Sequence, residues 1–443
     1  MVNVSNRFRW KHGLLALLCI SGVSAISAEE SVHLALDEKF DAQQAQTQQI
    51  IHASEERLAD LMREALSQHP NIRVSQAELQ AAQDDREAAE WGRFPSVGLD
   101  SQWRSGGLQT TARIEQPLWT GGRIRGNIDL SEAREDDARA GVMETQLRLL
   151  EETASAFFEI LRLQSRIAIA KENERELEGL LGTIERRVRA EINPVADQTL
   201  ASSRLYQAQA DVQVLMRQLR VVRSRLNQLV NREVFHLVTP QAFELVTVNE
   251  PWVADRVVSY SPTRERLLTQ VQQGRADIAI TRAQSLPSVV LGHEQRVGKR
   301  VNGEDSSRSY VGLQMQLDSG LANFSRVRAA HARLDAATDR IQVYERELRT
   351  TIDSLQAEID TLEQQIPATQ NMLAAAELIV ESYLRQFHVG RKSWLDVLNA
   401  QREKAQAQAM LADLQAPLEL AKLRLLLLSG DINENTLGRL DEY

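Results

Sequence analysis

The sequence predicts a mainly α-helical protein with a small amount of membrane β-structure, built as two tandem repeats. Three observations lead there. The first is an internal duplication. Ser67-Gln68-His69-Pro70 and Ser259-Tyr260-Ser261-Pro262 each lie 25 residues, proline to proline, before Phe94-Pro95-Ser96-Val97 and Leu286-Pro287-Ser288-Val289, an offset of 192. Further on, Ile114-Glu115-Gln116-Pro117-Leu118 matches Leu313-Gln314-Met315-Gln316-Leu317, and Asp197 matches Asp396, both at an offset of 199. One insertion of 7 residues therefore falls between Val289 and Gly312. The second observation is the absence of proline between Pro117 and Pro194. A helix from about Arg125 to Arg189 would measure ~100 Å, wider than any globular core. The third is period-two alternation in short runs, which marks strands lying between a wet and an apolar side.

The chain opens with Arg7, Arg9 and Lys11, the apolar run Gly13 to Ile20, and small residues up to Ala28. This pattern predicts a secretory signal peptide over residues 1–28, since the apolar run is too short for a membrane-spanning helix. The single cysteine, Cys19, leaves with it, and Leu18 before it is not the small residue of a lipoprotein cleavage site. An N-terminal extension, residues 29–54, follows.

The first repeat occupies residues 55–232. It begins with a helix from about Glu55 to Trp91 and continues through two strands. Val97, Leu99, Ser101 and Trp103 share one face of the first; Ala112, Ile114, Gln116 and Leu118 oppose Arg113, Glu115 and Trp119 in the second. The polar, Gly-rich segment Arg104 to Gln109 reads as an exposed loop. In the long helix after the strands, Leu147, Leu150, Ala154, Phe157 and Leu161 recur at steps of three and four, a coiled-coil seam. Residues 233–253 connect the repeats. The second repeat, residues 254–432, has a helix from about Ala254 to Gln284. Its strand residues Val311, Leu313, Met315 and Leu317 oppose Tyr310, Gly312 and Gln314, and its loop runs from Arg296 to Arg308. Pro367 and Pro417 are expected to kink or break its long helices. Residues 433–443 form a tail.

Composition excludes several functions. The net charge of −9 argues against nucleic acid as a partner, because phosphate binding needs a basic surface. Aromatic residues are only 5% of the chain, which is helix-former usage rather than that of a compact enzyme. His293 and His331 stand apart from other ligands at metal spacing, so no metal and no cofactor are expected. Glu151-Glu152 and Asp136-Asp137 are adjacent, point apart on a helix and cannot serve one substrate as acid and base. The pairs Gly106-Gly107 and Gly121-Gly122 lack the spacing and Lys of a phosphate loop and read as turns. Trp103 and Trp119 suit either an aromatic belt at a bilayer surface or packing at a barrel corner.

Four short strands cannot close a barrel, for which roughly eight are needed. Open edges in lipid leave backbone groups unpaired. If the strands face lipid, several chains must share one barrel, and three chains would supply twelve strands. Two readings of another class stay open: a soluble coiled-coil scaffold with a small capping sheet, and a selective porin.

Gln116-Pro117-Leu118-Trp119-Thr120-Gly121-Gly122 resembles the strand-to-helix corner of the TolC family of outer-membrane channel-tunnels, with Pro117, Trp119, Gly121 and Gly122 at the barrel corner. The stretch from Phe387 to Gln401, reading FHVGRKSWLDVLNAQ, is similar to that family's hairpin at the periplasmic tip. The first-half copy runs from Val188 to Asp197, with Pro194 and Gly390 as tip-hairpin residues and Glu191 where the family has Gly. A different backbone conformation is therefore expected at Glu191. The resemblance implies a homotrimer: a twelve-stranded barrel in outer-membrane lipid leading into a periplasmic tunnel of long coiled-coil helices, with an equatorial region near Asn231 to Glu250 and the C-terminus. Cargo would arrive from an inner-membrane ABC or proton-driven pump through a periplasmic adaptor. It also implies a periplasmic gate. Asp197 takes the family's Asp position, Phe387 its Tyr and Lys392 its Arg, while Asp396 matches an acidic constriction ring and Asn399 a second ring position. Phe387 has no hydroxyl and Lys392 lacks a bidentate fork.

Three copies of Asp396 around one axis would attract cations. Alternatively, Asp197 and Asp396 cap the helices that follow each turn. The absence of a lipidation cysteine leans the cargo toward type I protein secretion, with multidrug efflux as the alternative.

Overall fold

In a computed structural model, residues 56–104, 107–240, 252–298, 305–315 and 322–441 are described. The expected signal peptide, nearly all of the N-terminal extension, and residues 241–251 of the connector lie outside them.

The elements run α1 (Leu58–Gln68), α2 (Pro70–Trp91), β1 (Ser96–Arg104), β2 (Gly107–Trp119), α3 (Arg123–Arg189) and α4 (Val195–Val230). A second set follows: α5 (Trp252–Tyr260), α6 (Pro262–Ala283), β3 (Ser288–Gly298), β4 (Ser307–Gln314), α7 (Ala322–His388) and α8 (Trp394–Leu428). The order helix, helix, strand, strand, long helix, shorter helix thus occurs twice. Helices α3 and α7 have 67 residues each and begin and end 199 residues apart. The insertion lies in the second hairpin, where β3 is longer than β1 and a wider gap separates it from β4.

Each expected opening helix is two helices. Pro70 and Pro262 occupy first-turn positions, and the preceding His69 (ψ 132°) and Ser261 (ψ 115°) are extended. A proline crowds the residue before it out of the α region, so the chain turns there and restarts. Pro367 and Pro417, in contrast, break nothing: α7 and α8 run through them. Pro367 is exposed, so the carbonyl it leaves unpaired can meet water, and buried Ala412, Leu418 and Ala421 hold α8 on both sides of Pro417.

Helix α3 packs along α4, α7 along α8, and α8 also lies against α3. Leu150, Ala154 and Phe157 of the expected seam are buried, with Leu147 and Leu161 packed at their edge. They share a core with Leu58, Leu61 and Met62 of α1 and with Ile432, Leu437 and Leu440 near the C-terminus. Arg232 reinforces this waist, donating to Glu56 and Glu64 at 2.8 Å each.

The four strands form one antiparallel meander, β1-β2-β3-β4. Val97 faces Ile114, Leu99 faces Ala112 and Trp103 faces Leu108, while Leu291 faces Val311 and Val289 faces Leu313. The expected loops are shorter than the sequence reading gave. β1 and β2 pair out to Arg104↔Gly107, and β3 reaches Gly298, paired with Gln109. Polar residues in these hairpins satisfy ladder hydrogen bonds as well as apolar ones do.

Candidate functional site

Two regions carry the sequence-predicted residues: the hairpin tips and the sheet with its corner. At the tips, both turns close in the same way. The Ile192 N–H donates to the Arg187 carbonyl and the Arg391 N–H to the Gln386 carbonyl, each at 2.9 Å, at positions 199 residues apart. Gly390 has φ 76° and Glu191 φ 59°. The expectation that Glu191 changes the turn is thus corrected: it takes the left-handed conformation that glycine would. The geometry of the closing hydrogen bonds fixes that φ, at a steric cost of about 1–2 kcal/mol for a residue with a Cβ.

Beyond the turns the two hairpins differ. Ser393 is the N-cap of α8; its hydroxyl accepts from the Asp396 N–H at 3.2 Å, and Asp396 Oδ2 accepts from the Ser393 N–H at 3.2 Å and its hydroxyl at 2.7 Å. This reciprocal capping box satisfies two otherwise unpaired donors. With Lys392 Nζ 3.9 Å away, these bonds hold the Asp396 carboxyl below the ordinary aspartate range, the Ser393 hydroxyl being the largest cause. Pro194, at the matching N-cap position, has no side-chain oxygen to offer. Asp197 instead accepts from Asn193 Nδ2 at 2.8 Å, and Asn193 Oδ1 accepts from Arg187 Nε at 2.8 Å.

Phe387 is buried at the heart of the tip, in a core shared by Ile184, Leu205, Trp394 and Val397. The Arg187 guanidinium lies 4.7 Å from its ring centroid. Lys392 sits 4.2 Å from the ring centroid of Tyr383. Within one chain, then, Lys392 is brought to Asp396, and Asp197 is linked through Asn193 and Arg187 to Phe387. Arg187, Asn193 and Tyr383 were missed by sequence reasoning. A cation in the last turn of α3 was the signal that could have found Arg187.

At the corner, the β2–β3 register shifts between Pro117 and Trp119. Gly121 (φ 63°) and Gly122 (φ 96°) then turn the chain into α3, and a Cβ on Gly121 would meet Leu286 Cβ at 2.7 Å. The outer face of the sheet exposes Val97 (76%), Leu99 (75%) and Trp103 (79%), with Ile114, Val311 and Leu313 beside them. The other face is polar. Glu294, buried, lies 2.8 Å from Arg113, 3.2 Å from Arg296 and 4.0 Å from Arg308. The Tyr310 hydroxyl donates to Glu115 at 2.7 Å. Among the described residues β1 and β4 each pair on one side only. No described helix is long and apolar enough to cross a membrane, and no described group of side chains could hold a metal ion.

The family described as outer membrane efflux protein matches residues 61–232 and 266–431, the two repeats in turn. The chain belongs to that family. Outer membrane efflux proteins are channels of the outer membrane with a large periplasmic helical part, and the sheet and long helices here are those two parts. The chain is 21% identical over 340 residues to the outer membrane efflux protein BepC of Brucella suis, covering 74% of this chain and 73% of that one. Its fold is similar to that of the outer-membrane channel OprN, with a TM-score of 0.72, 20% identity, and 84% and 89% of the two chains covered. The outer membrane protein VceC of Vibrio cholerae gives a TM-score of 0.73 at 17% identity, covering 84% and 96%.

Proposed function

We propose that three copies of this chain close a twelve-stranded barrel and form the exit duct of a tripartite export system. The observation that carries this is the sheet: among the described residues, four strands with both outer edges unpaired and an exposed apolar face. In lipid such edges cost several kcal/mol per unsatisfied group, and only pairing with further copies removes them. The polar face around Glu294 and Arg113 would then line the lumen. The duct is passive. A pump in the inner membrane, ABC or proton-driven, supplies energy, a periplasmic adaptor engages the tips, and opening moves the hairpins around Asp197 and Asp396 apart. Phe387 and Lys392 hold those hairpins, and three copies of Asp396 form the acidic constriction.

For cargo we propose type I protein secretion, on the ground that Leu18 precedes Cys19 where a lipoprotein leader carries a small residue. Multidrug efflux is the second reading, favoured by the name of the relative BepC as an efflux protein. The oligomer is tested by extracting the full chain in mild detergent and comparing unheated and boiled samples by gel electrophoresis. A heat-sensitive trimer that conducts in planar bilayers is expected; a monomer stable in detergent-free buffer would overturn the proposal. A neighbouring gene for an ABC transporter supports secretion, and one for a proton-driven multidrug pump replaces it with efflux.

A further inference from the structure

A groove of about 760 Å³ runs along the helices between α3, α4 and α8. Its α8 wall extends from Leu395 to Asp413, ~27 Å at the helical rise. One end is closed by charge: Arg162 lies 2.6 Å from Asp413, and Arg166 pairs with the same carboxylate. The middle is apolar, lined by Ile169, Ala170, Val214, Leu215 and Ala409.

The opposite end is different. Glu176 of α3 accepts from Gln401 and, at 2.6 Å, from Lys404, while Leu177, Leu205 and Leu398 share one core. Those contacts bring residues 173–177, 204–208 and 398–402 to one level. Arg204 on α4 and Arg402 on α8 therefore stand on opposite walls, with Asn173 and Asn399 between them. Both arginines are exposed, and neither has a carboxylate partner among the described residues. Arg162 also donates to Glu159 at 2.6 Å, so Glu159 and Asp413 balance Arg162 and Arg166, while Arg204 and Arg402 against Asp211 leave one positive charge in excess at this end, in a chain whose net charge is −9. Asp211 lies two turns from Arg204 and accepts from Gln207 at 2.9 Å.

We infer that this groove is a binding site for amphipathic organic anions. The anionic head sits between Arg204 and Arg402, each guanidinium donating to it, and Asn173 and Asn399 add amide donors. The apolar body lies against Ile169, Val214, Leu215 and Ala409. A guanidinium is weakly hydrated and planar, so two of them facing across an apolar trough favour sulfonate or carboxylate heads over neutral ones. The site goes beyond the duct reading, and it is measured at equilibrium, without transport.

Naphthalene-2-sulfonate is a suitable probe, because it has one anionic head and a rigid apolar body. It is titrated calorimetrically into the full chain, assembled as extracted in a non-ionic detergent, with detergent alone as the blank. Saturable binding below about 1 mM is expected. Arg204→Gln combined with Arg402→Gln should weaken it about tenfold or more, as should replacing the probe by neutral 2-naphthalenemethanol. Ala409→Trp, which fills the trough and leaves both arginines in place, should abolish it. Because Arg204 and Arg402 are exposed, the double variant is expected to keep the oligomer and helical signal of the parent. Absence of saturable binding, as when a second copy covers the groove, overturns the inference. So does wild-type affinity in the double variant, or in Ala409→Trp.

Discussion

The guanidinium of Arg187, in the last turn of α3, lies 4.7 Å from the ring centroid of Phe387, in the last turn of α7. The same arginine reaches Asn193, and Asn193 reaches Asp197. One side chain thus joins the tip of the first hairpin to the buried aromatic of the second. Phe387 engages through its face, where a tyrosine would offer a hydroxyl.

Removing that contact should loosen the tip. Arg187→Ala is expected to lose about 1 kcal/mol of coupling between the hairpins. In planar bilayers it should raise the resting single-channel conductance, and Arg187→Lys should fall between the two. Resting conductance unchanged in both variants would show that the contact plays no part in holding the tip.

The charge of Asp396 should outlast that of an ordinary aspartate as pH falls. Its carboxyl titrates low because Ser393 donates to it twice and Lys392 stands nearby. A lowered native value means that the capping contribution is fully present above the unfolded value, and is lost as pH falls through the native one. Block of the channel by a trivalent cation such as lanthanum should therefore persist to lower pH in the parent than in Ser393→Ala. Asp396→Ala should raise the blocking concentration about tenfold. Equal block in parent and Asp396→Ala would remove the acidic ring.

Glu191→Gly should stabilise the first tip. At φ 59° the glutamate carries a Cβ penalty that glycine lacks, so the gain is about 1 kcal/mol. Gly390→Ala, at φ 76°, should cost a similar amount. Amide hydrogen exchange at residues 188–193 and 387–392 reads both effects, with slower exchange expected in the first variant and faster in the second.

These sites were unequally legible. The 199-residue offset gave both long helices, and alternation gave the strand faces, because those signals are local and periodic. Pro70 and Pro262 mark real chain turns whereas Pro367 and Pro417 do not: α7 continues where the carbonyl that Pro367 leaves unpaired is open to water, and α8 where buried residues hold both sides of Pro417, and neither circumstance is a local propensity. Gly390 announced its turn, while Glu191 concealed an identical one. The Arg187–Phe387 and Glu294–Arg113 contacts join residues 200 and 181 positions apart, and no spacing rule connects them.

Glu294→Gln should weaken the sheet. Glu294 is an acidic partner common to Arg113, Arg296 and Arg308, so a neutral side chain removes the negative charge that all three share. A loss of about 1.5–3 kcal/mol is expected. The heating step that converts the unheated oligomer to monomer should occur at a lower temperature in the variant, and an unchanged temperature would assign the cluster no part in stability.

Helices α3 and α7 contain the same number of residues, 67. In a ring of three copies that equality would set six hairpin ends level, like the teeth of one crown. Deleting a residue from only one of the two helices would withdraw every second tooth by about 1.5 Å and swing its seam by about 100°. Length drift in this chain is therefore tolerable only in matched pairs, and a relative with a longer shaft should have lengthened both helices together.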